Sequence, residues 1–367
     1  MAKDRGHAGT FFAAPRVRIL PVDVVFHPNW WFRHYGIRFT RDFFFDPTTR
    51  VAADRNMRRI LHERFPDLGL GEKDAAPRPV VGGVLLAAGY LISGLLGCGI
   101  RFSEDAPPEV VAANLTDAQV RALRAPSLSD VPLMRDVIRL FDFLEKEFGY
   151  VEGDINWEGI QNVALNLRGH QLFIDYYENP DLARTLFDVI ADTVDRFLSL
   201  IRGRTGTTSL SVNRIVRYVD PRMALHSNCT VSMISPELYE TFLLPYDIRL
   251  SEAHQPYGIH YCGNDMHKVR HAFARIKKAS FFDVGWGSDV RLCREALPDA
   301  FFSLRLSPVR MRSESAETIE RDIEKLLADA GPLDKAGLCC INMDIGTPDR
   351  NVRKIFEVAE RHRRSVA

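Results

Sequence analysis

The last third of the chain alternates short apolar runs with helical patterns, and this rhythm limits the folds open to it. The strand-like runs are Tyr257 to Cys262, Ser280 to Gly285, Phe301 to Ser307 and Leu338 to Asp344. Helical patterns separate them at Lys268 to Lys277 and Leu292 to Leu297. Strands and helices alternating at this spacing predict parallel βαβ units.

Four such strands favour an α/β fold of the closed (β/α)8 type, the TIM barrel, whose active site forms where strands end and loops begin. A doubly wound open sheet is the alternative, but its glycine fingerprint, GxGxxG between a strand and a helix, is not found in a convincing place. Three further helices are predicted: one after Asn179 and Pro180, one opened by Ser235 and Pro236, and one over Glu317 to Ala330.

The first 130 residues look irregular, with aromatic clusters and proline-rich connections. We therefore expect residues 1–130 to form an N-terminal helical or irregular extension together with the first barrel elements. Residues 131–367 would complete a single (β/α)8 barrel.

Composition excludes several classes of partner. The 48 basic and 48 acidic side chains balance, so no global field favours nucleic acid or anionic lipid. Met1 to Arg18 lacks the apolar core of a signal peptide, so a cytoplasmic location with reduced thiols is expected. Pro79 to Ile100 has no charge over 22 positions, but its six glycines favour a buried helix over a membrane span.

The segment from Gly258 to Asn264 carries the most chemical information. His260 and Cys262 are two apart on a predicted strand, so their side chains leave the same face, and Gly263 lets the chain turn at the strand end. The two side chains can bind one metal ion together. On its own the pair is also compatible with a core histidine beside a core cysteine.

A second source of thiols ends the last predicted strand, where Cys339 and Cys340 are adjacent and must face opposite ways. If Cys340 faces the barrel interior, Asn342 and Asp344 join it at the polar mouth. The opposite register would place Asp344 among the outer helices, where an unpaired carboxylate is costly. Cys340 is therefore the predicted third ligand, with Cys339 as the alternative.

A ligand set of His260, Cys262 and Cys340 with a vacant fourth position is typical of catalytic zinc. Zinc at such a site can hold a substrate thiol as the nucleophilic thiolate at neutral pH. In the reverse direction it can act as a Lewis acid on a methylated heteroatom.

Three segments carry a family resemblance: His260 to Asn264, Ser235 to Tyr246, and Gly346 to Val352. Together with Gly153-Asp154 and Leu167 to Gly169, they resemble the cobamide-dependent methyltransferase branch of the uroporphyrinogen decarboxylase superfamily, most clearly from Gly153 to Val352. The resemblance implies a (β/α)8 barrel with zinc on His260, Cys262 and the late-strand cysteine. It also implies methyl transfer between a small molecule, such as a thiol, methoxy compound, methylamine or folate, and a corrinoid.

The corrinoid is expected to arrive on a separate partner protein. The chain has no D-x-H-x-x-G loop, and the near match starting at Asp265 lacks the glycine and lies where a barrel helix begins. A homodimer is a further expected assembly.

Other candidate substrate-binding residues come from nearby strand ends. Asp154 and Asn156 follow an early strand, where a turn-forming role is equally compatible. His226 and Asn228 precede the helix opened by Ser235, and His226 and Cys229 have both structural and metal-binding interpretations.

Asp283 and Trp286 end the strand after the His260 strand, where Asp283 could line the pocket or cap the next helix.

Two alternatives to methyl transfer remain at this point. A metal-independent decarboxylase would need an N-terminal arginine motif, of which Arg33 and Arg38 are a loose echo. A binding relative without turnover would not need an open thiolate site.

Overall fold

The computed structural model describes residues 19–82, 89–205 and 215–366, and for Asp154 and residues 365–366 it describes the backbone alone. The strands are β1 Val22–Phe26, β2 Val80–Gly82, β3 Gly99–Arg101, β4 Glu109–Val111, β5 Glu152–Asp154, β6 Ala224–Ser227, β7 Tyr257–Tyr261, β8 Ala279–Val284, β9 Phe301–Arg305 and β10 Ala336–Met343.

Helices follow or connect these strands. They are α1 Pro28–Tyr35, α2 Arg41–Phe45, α3 Pro47–Arg64, α4 Leu91–Leu95, α5 Asp117–Ala122, α6 Pro132–Phe148, α7 Ile160–Arg168, α8 Gln171–Glu178, α9 Pro180–Thr205, α10 Val216–Val219, α11 Pro236–Phe242, α12 Leu244–Ala253, α13 Met266–Phe273, α14 Val290–Ala296, α15 Pro308–Ser313, α16 Ala316–Ala330 and α17 Asp349–Val366. Short 3₁₀ turns cover Leu128–Asp130, Cys229–Met233 and Leu333–Lys335.

The parallel strands of the barrel lie in two sheets among the described residues. Six make one sheet in the order β1-β10-β9-β8-β7-β6, and β2 pairs with β5. A bridge between Glu158 and Ser227 joins the β5 segment to β6. Because the last strand, β10, pairs in parallel with the first, β1, the sheet curls back on itself. This pairing confirms the predicted (β/α)8 class over the doubly wound alternative.

The predicted strands and helices of the last third match β7 to β10, α13, α14 and α16 within a few residues. The helix opened by Ser235 differs, because it divides into α11 and α12. Pro245 lies in the first turn of α12 and has no backbone N–H to continue the preceding helix. Ser235 still caps α11 by accepting a hydrogen bond from the backbone N–H of Leu238 at 3.3 Å.

The uncharged segment from Pro79 to Ile100 is not the single buried helix that was predicted. Its described parts are β2, the five-residue α4 and the start of β3, while residues 83–88 lie outside the description. Glycine disfavours a helix interior, and six glycines in this segment explain the fragmentation. Among the described residues no helix has the length and apolar character to cross a membrane.

Polar side chains share the inner face of the barrel. Ser227, His260, Asp283 and Ser303 are register partners on neighbouring strands β6 to β9. Partners in a parallel sheet project to the same side, so these residues form a polar row across the interior. The outer face instead packs apolar side chains such as Ile259 and Phe282 in the core.

Candidate metal centre

Cys229, His260 and Cys262 come together at the carboxyl ends of two neighbouring strands. One potential ligand atom from each lies within 4.8 Å of the other two, in the one such group among the described residues. Cys229 begins the 3₁₀ turn after β6, and Cys262 follows the last residue of β7. Two thiols and one imidazole are the donors that select zinc, so this donor set fits the metal that the resemblance implies.

The orientation of His260 is fixed by a carboxylate from the next strand. Its Nδ1 lies 2.5 Å from Oδ2 of Asp283, and both side chains are buried. An ionised carboxylate can only accept, so Nδ1 carries the proton in this pair. The lone pair of Nε2 is then left for a metal ion, which is the usual arrangement of a metal-binding histidine.

Arg305 from β9 brings a positive charge to the same place. Its Nη1 lies 3.9 Å from Oδ2 of Asp283 and 3.4 Å from Nδ1 of His260. The guanidinium is largely buried, and it interacts electrostatically with Cys339, Asp283 and both thiols of the group. Arg305 was not predicted, although a charged residue at the end of a barrel strand is a recognisable signal.

The thiols of the group differ in acidity. The hydrogen bond from Cys229, helped by His260 and Arg305, holds the pKa of Cys262 far below its ordinary value and outweighs the desolvation that acts to raise it. The same hydrogen bond and burial raise the pKa of Cys229. Burial and Arg305 act to lower the pKa of His260, but its hydrogen bonds to Asp283 and Cys262 outweigh them and raise it. Cys262 is therefore the thiolate in this pair.

The turn that carries Cys229 is held from α7. Asn162 Oδ1 accepts from the backbone N–H of Thr230 at 3.0 Å and from its hydroxyl at 2.6 Å. The amide nitrogen of Asn162 donates to the carbonyl oxygen of Ser227 at 2.9 Å. Three hydrogen bonds around Cys229 fix its place beside Cys262 without a metal ion.

The structure does not bring Cys340 to this group. Its Sγ lies 3.8 Å from the carbonyl oxygen of Leu306, whereas Cys339 is the residue on the inner face, 3.1 Å from Oγ of Ser303. The expected orientation of the two cysteines is thus reversed. The reason is a bulge: Asn342 has φ of 65° and interrupts the register with β1 between Ile341 and Met343.

Asn342 forms this bulge, and Asp344 lies beyond it at the barrel mouth. Asn342 is exposed. Asp344 is paired with Arg312 at 2.8 Å and also accepts from the backbone N–H of Gly346 at 2.9 Å. The register argument failed because the alternation that it counted is broken between Asp344 and the two cysteines.

His226 lies on the opposite side of the wall from the thiols. Its Nε2 accepts from the backbone N–H of Ile160 at 3.3 Å, and its Nδ1 lies 3.0 Å from Asp247 of α12 and 2.7 Å from the hydroxyl of Tyr257. Asn228 also binds Asp247, at 2.7 Å. Both ring nitrogens of His226 therefore have hydrogen-bond partners. This residue has the structural role and not the metal-binding one.

Asn156 is half-buried and accepts from the hydroxyl of Ser227 at 3.4 Å, so it lies next to the polar row. The side chain of Asp154 lies outside the described part of the chain. The arginines of the decarboxylase echo are on the surface, where Arg33 pairs with Asp105 and Arg38 with Glu104.

Comparison with known proteins supports the fold. The chain is similar to a solved methyltransferase from Methanosarcina mazei, with a TM-score of 0.64, 14% identity and 95% of each chain covered. It is also similar to a B12-independent methionine synthase from Shewanella sp. W3-18-1, with a TM-score of 0.45, 10% identity and coverage of 95% and 99%. No family model and no curated protein sequence matches the chain. At 14% identity the first likeness shows the (β/α)8 barrel and leaves the chemistry to the site itself.

Proposed function

We propose that the chain is a zinc-dependent methyltransferase that moves a methyl group between a small molecule and a corrinoid carried by another protein. The observation that supports this most is the group of Cys229, His260 and Cys262 at the carboxyl end of the barrel. A zinc ion held by three protein donors would supply a place where a substrate sulfur can bind as a nucleophilic thiolate.

The side chains of the chain would hold the metal ion in place. Cys262 and Cys229 would bind the metal as thiolates, and His260 would bind through Nε2 because Asp283 holds Nδ1. In the direction toward a thiol, the sulfur lone pair forms the new S–C bond and the thiol proton leaves to solvent. The methyl–cobalt bond of the partner's corrinoid would break with its electron pair left on cobalt, so the exchange would balance without a further oxidant.

The corrinoid is assigned to a partner protein because the near match to a corrinoid-binding loop, which starts at Asp265, lacks the glycine of that loop. Asp265, the start of the near match to a corrinoid loop, instead accepts from the hydroxyl of Tyr261 at 2.6 Å and precedes α13.

Metal content tests the ligand set. We expect one zinc per chain in the wild type, Cys339→Ser and Cys340→Ser, and none in Cys229→Ser and Cys262→Ser, by elemental mass spectrometry of folded protein. Cys340→Ser is the matched control because it changes a buried thiol outside the group. Zinc lost from Cys339→Ser or Cys340→Ser and retained by Cys229→Ser would restore the last-strand cysteine as the ligand.

Turnover tests the reaction. Methylcobalamin serves as the probe corrinoid, with thiols, folates and methoxy compounds as the second substrate, and loss of the methyl–cobalt absorbance is the readout. We expect zinc-dependent demethylation with one substrate class, abolished in Cys262→Ser. A zinc-loaded wild type that is inactive both with this probe and with methylated corrinoid proteins would contradict methyl transfer.

A further inference from the structure

A buried carboxylate that contacts the candidate metal centre does not belong to it. Asp283 is fully buried on the inner face, directly beside His260 in the register of β7 and β8. Carboxylates are ordinary zinc ligands, yet Asp283 is not part of the close group that Cys229, His260 and Cys262 form. A carboxylate so near a three-donor site could fill the fourth position and close it to substrate.

Two contacts turn this carboxylate away. Oδ2 of Asp283 binds Nδ1 of His260 at 2.5 Å, on the side of the ring that faces away from Nε2. Arg305, one strand further round the barrel, lies 3.9 Å from the same oxygen. Arg305 is attached to β9 and its side chain is 13% exposed, so its charge acts on Asp283 with little screening by water.

We propose that Asp283 and Arg305 are positioning residues that reserve the fourth coordination place for substrate. Arg305 holds the carboxylate against the imidazole, and the carboxylate in turn orients Nε2 toward the thiols. Removal of Arg305 releases Asp283 to compete with a substrate thiol. This inference rests on the proposed function, because it concerns access of substrate to the same site.

Cobalt(II) in place of zinc makes the coordination visible without turnover. The thiolate-to-cobalt charge-transfer band should depend on Cys262, and it should grow when 2-mercaptoethanol, an uncharged probe thiol, binds. We expect this growth in the wild type and in Arg305→Lys, which keeps the charge. We expect it to be lost in Arg305→Gln, although that variant still binds cobalt.

A double variant separates positioning from simple damage. Asp283→Asn added to Arg305→Gln replaces the competing carboxylate by a poor zinc ligand, so the thiol response should return. Asp283→Asn alone should keep the response and weaken cobalt affinity about 10- to 100-fold, as expected for loss of a partner behind a metal-binding histidine. Arg310→Gln, which removes an Arg–Asp pair with Asp322 on the outer helices, is the matched control and should behave as wild type.

If Arg305→Gln does not fold, Asp283→Glu provides the second arm. Its additional methylene should carry the carboxylate into the group, so cobalt should stay bound while the thiol response is lost. A normal response in folded Arg305→Gln, no recovery in the double variant, or a normal response in Asp283→Glu would each overturn the inference alone. A wild type without a Cys262-dependent cobalt band would overturn the proposed function as well.

Discussion

His226 and Cys229 are three positions apart at the end of β6, yet they serve opposite sides of the barrel wall. Cys229 lies beside Cys262, whereas His226 stacks on Trp157 with a ring-centroid distance of 4.8 Å and contacts Asp247 of α12. A histidine whose two ring nitrogens are both engaged in the core contributes to stability and has no lone pair to offer a metal ion.

We expect His226→Ala to lower the free energy of unfolding by about 3 kcal/mol, because it leaves a cavity and removes hydrogen bonds from Asp247 and Ile160. Zinc content of the folded variant should equal that of the wild type. Urea unfolding and elemental analysis measure the two quantities. A stable His226→Ala protein that has lost zinc would instead place His226 among the ligands.

The local part of the site is what the sequence could predict. His260 on β7 and Cys262, one residue past its end, are two positions apart in extended chain, and this spacing places them together without tertiary information. The place of Cys229 depends on how β6 pairs with β7 and on hydrogen bonds from Asn162 on α7. These contacts are non-local, so sequence spacing could not choose between a structural and a ligand role for Cys229.

At the scale of elements, the end of β10 shows how one residue can reverse which side chains of a strand face the barrel interior. Asn342 occupies the left-handed region with φ of 65°, where asparagine and glycine are tolerated. Its bulge separates Asp344, at the mouth, from the regular alternation that places Cys339 inward. Counting by twos from Asp344 therefore selected the wrong cysteine for the inner face.

We expect Asn342→Gly to leave stability within about 0.5 kcal/mol of wild type. Asn342→Val should lower the free energy of unfolding by about 1 to 2 kcal/mol, because a β-branched residue is strained at positive φ. Urea unfolding of the two variants tests this. Equal stability of Asn342→Val and Asn342→Gly would show that the bulge does not require the left-handed conformation.

A buried ion cluster joins α3 to the approach to β2. Asp54 accepts two hydrogen bonds from Arg78, each of 2.8 Å, and one from Arg58 at 2.8 Å. Burial acts to raise the pKa of Asp54, but Arg78 and Arg58 outweigh it and hold the pKa below its ordinary value. The charged carboxylate therefore stabilises the fold above that ordinary value, and the contribution is lost as pH falls through the lowered folded-state pKa.

We expect Asp54→Asn to lower the free energy of unfolding by about 3 to 5 kcal/mol at pH 7, because it removes the buried negative charge that accepts two hydrogen bonds from Arg78 and one from Arg58. The difference in the free energy of unfolding between Asp54→Asn and the wild type should stay constant down to about pH 5 and become smaller below about pH 4. Asp67→Asn, which removes an exposed partner of Arg353, is the control and should cost less than about 1 kcal/mol. If this difference in stability does not become smaller in acid, the stabilisation does not come from the charge of Asp54.

At the scale of the whole molecule, the alternation of strands and helices predicted the barrel because each βαβ unit is encoded by a short, continuous stretch of sequence. The contact between the first and last strands of the barrel is the parallel pairing of β1 with β10, which are more than 300 residues apart. The secondary structure of the segment from Pro79 to Ile100 was harder to predict, since its apolar composition suits a buried helix as well as the strand and short helix that it forms. Composition indicates that the segment is buried, but tertiary contacts determine whether it forms a helix or a strand.

The candidate metal centre ties together two strand ends of the barrel, so metal removal should affect the stability of the whole fold. A ligand that binds the native state alone stabilises it by about 2.7 kcal/mol at 100 times its dissociation constant. For a chain of 367 residues with an unfolding entropy of about 0.8 kcal/mol per kelvin, this corresponds to a rise in Tm of about 3 to 4 °C. Calorimetry with and without chelator should show this shift in the wild type and in Cys340→Ser, and no shift in Cys229→Ser. An equal shift in Cys229→Ser would mean that zinc binds outside the group of Cys229, His260 and Cys262.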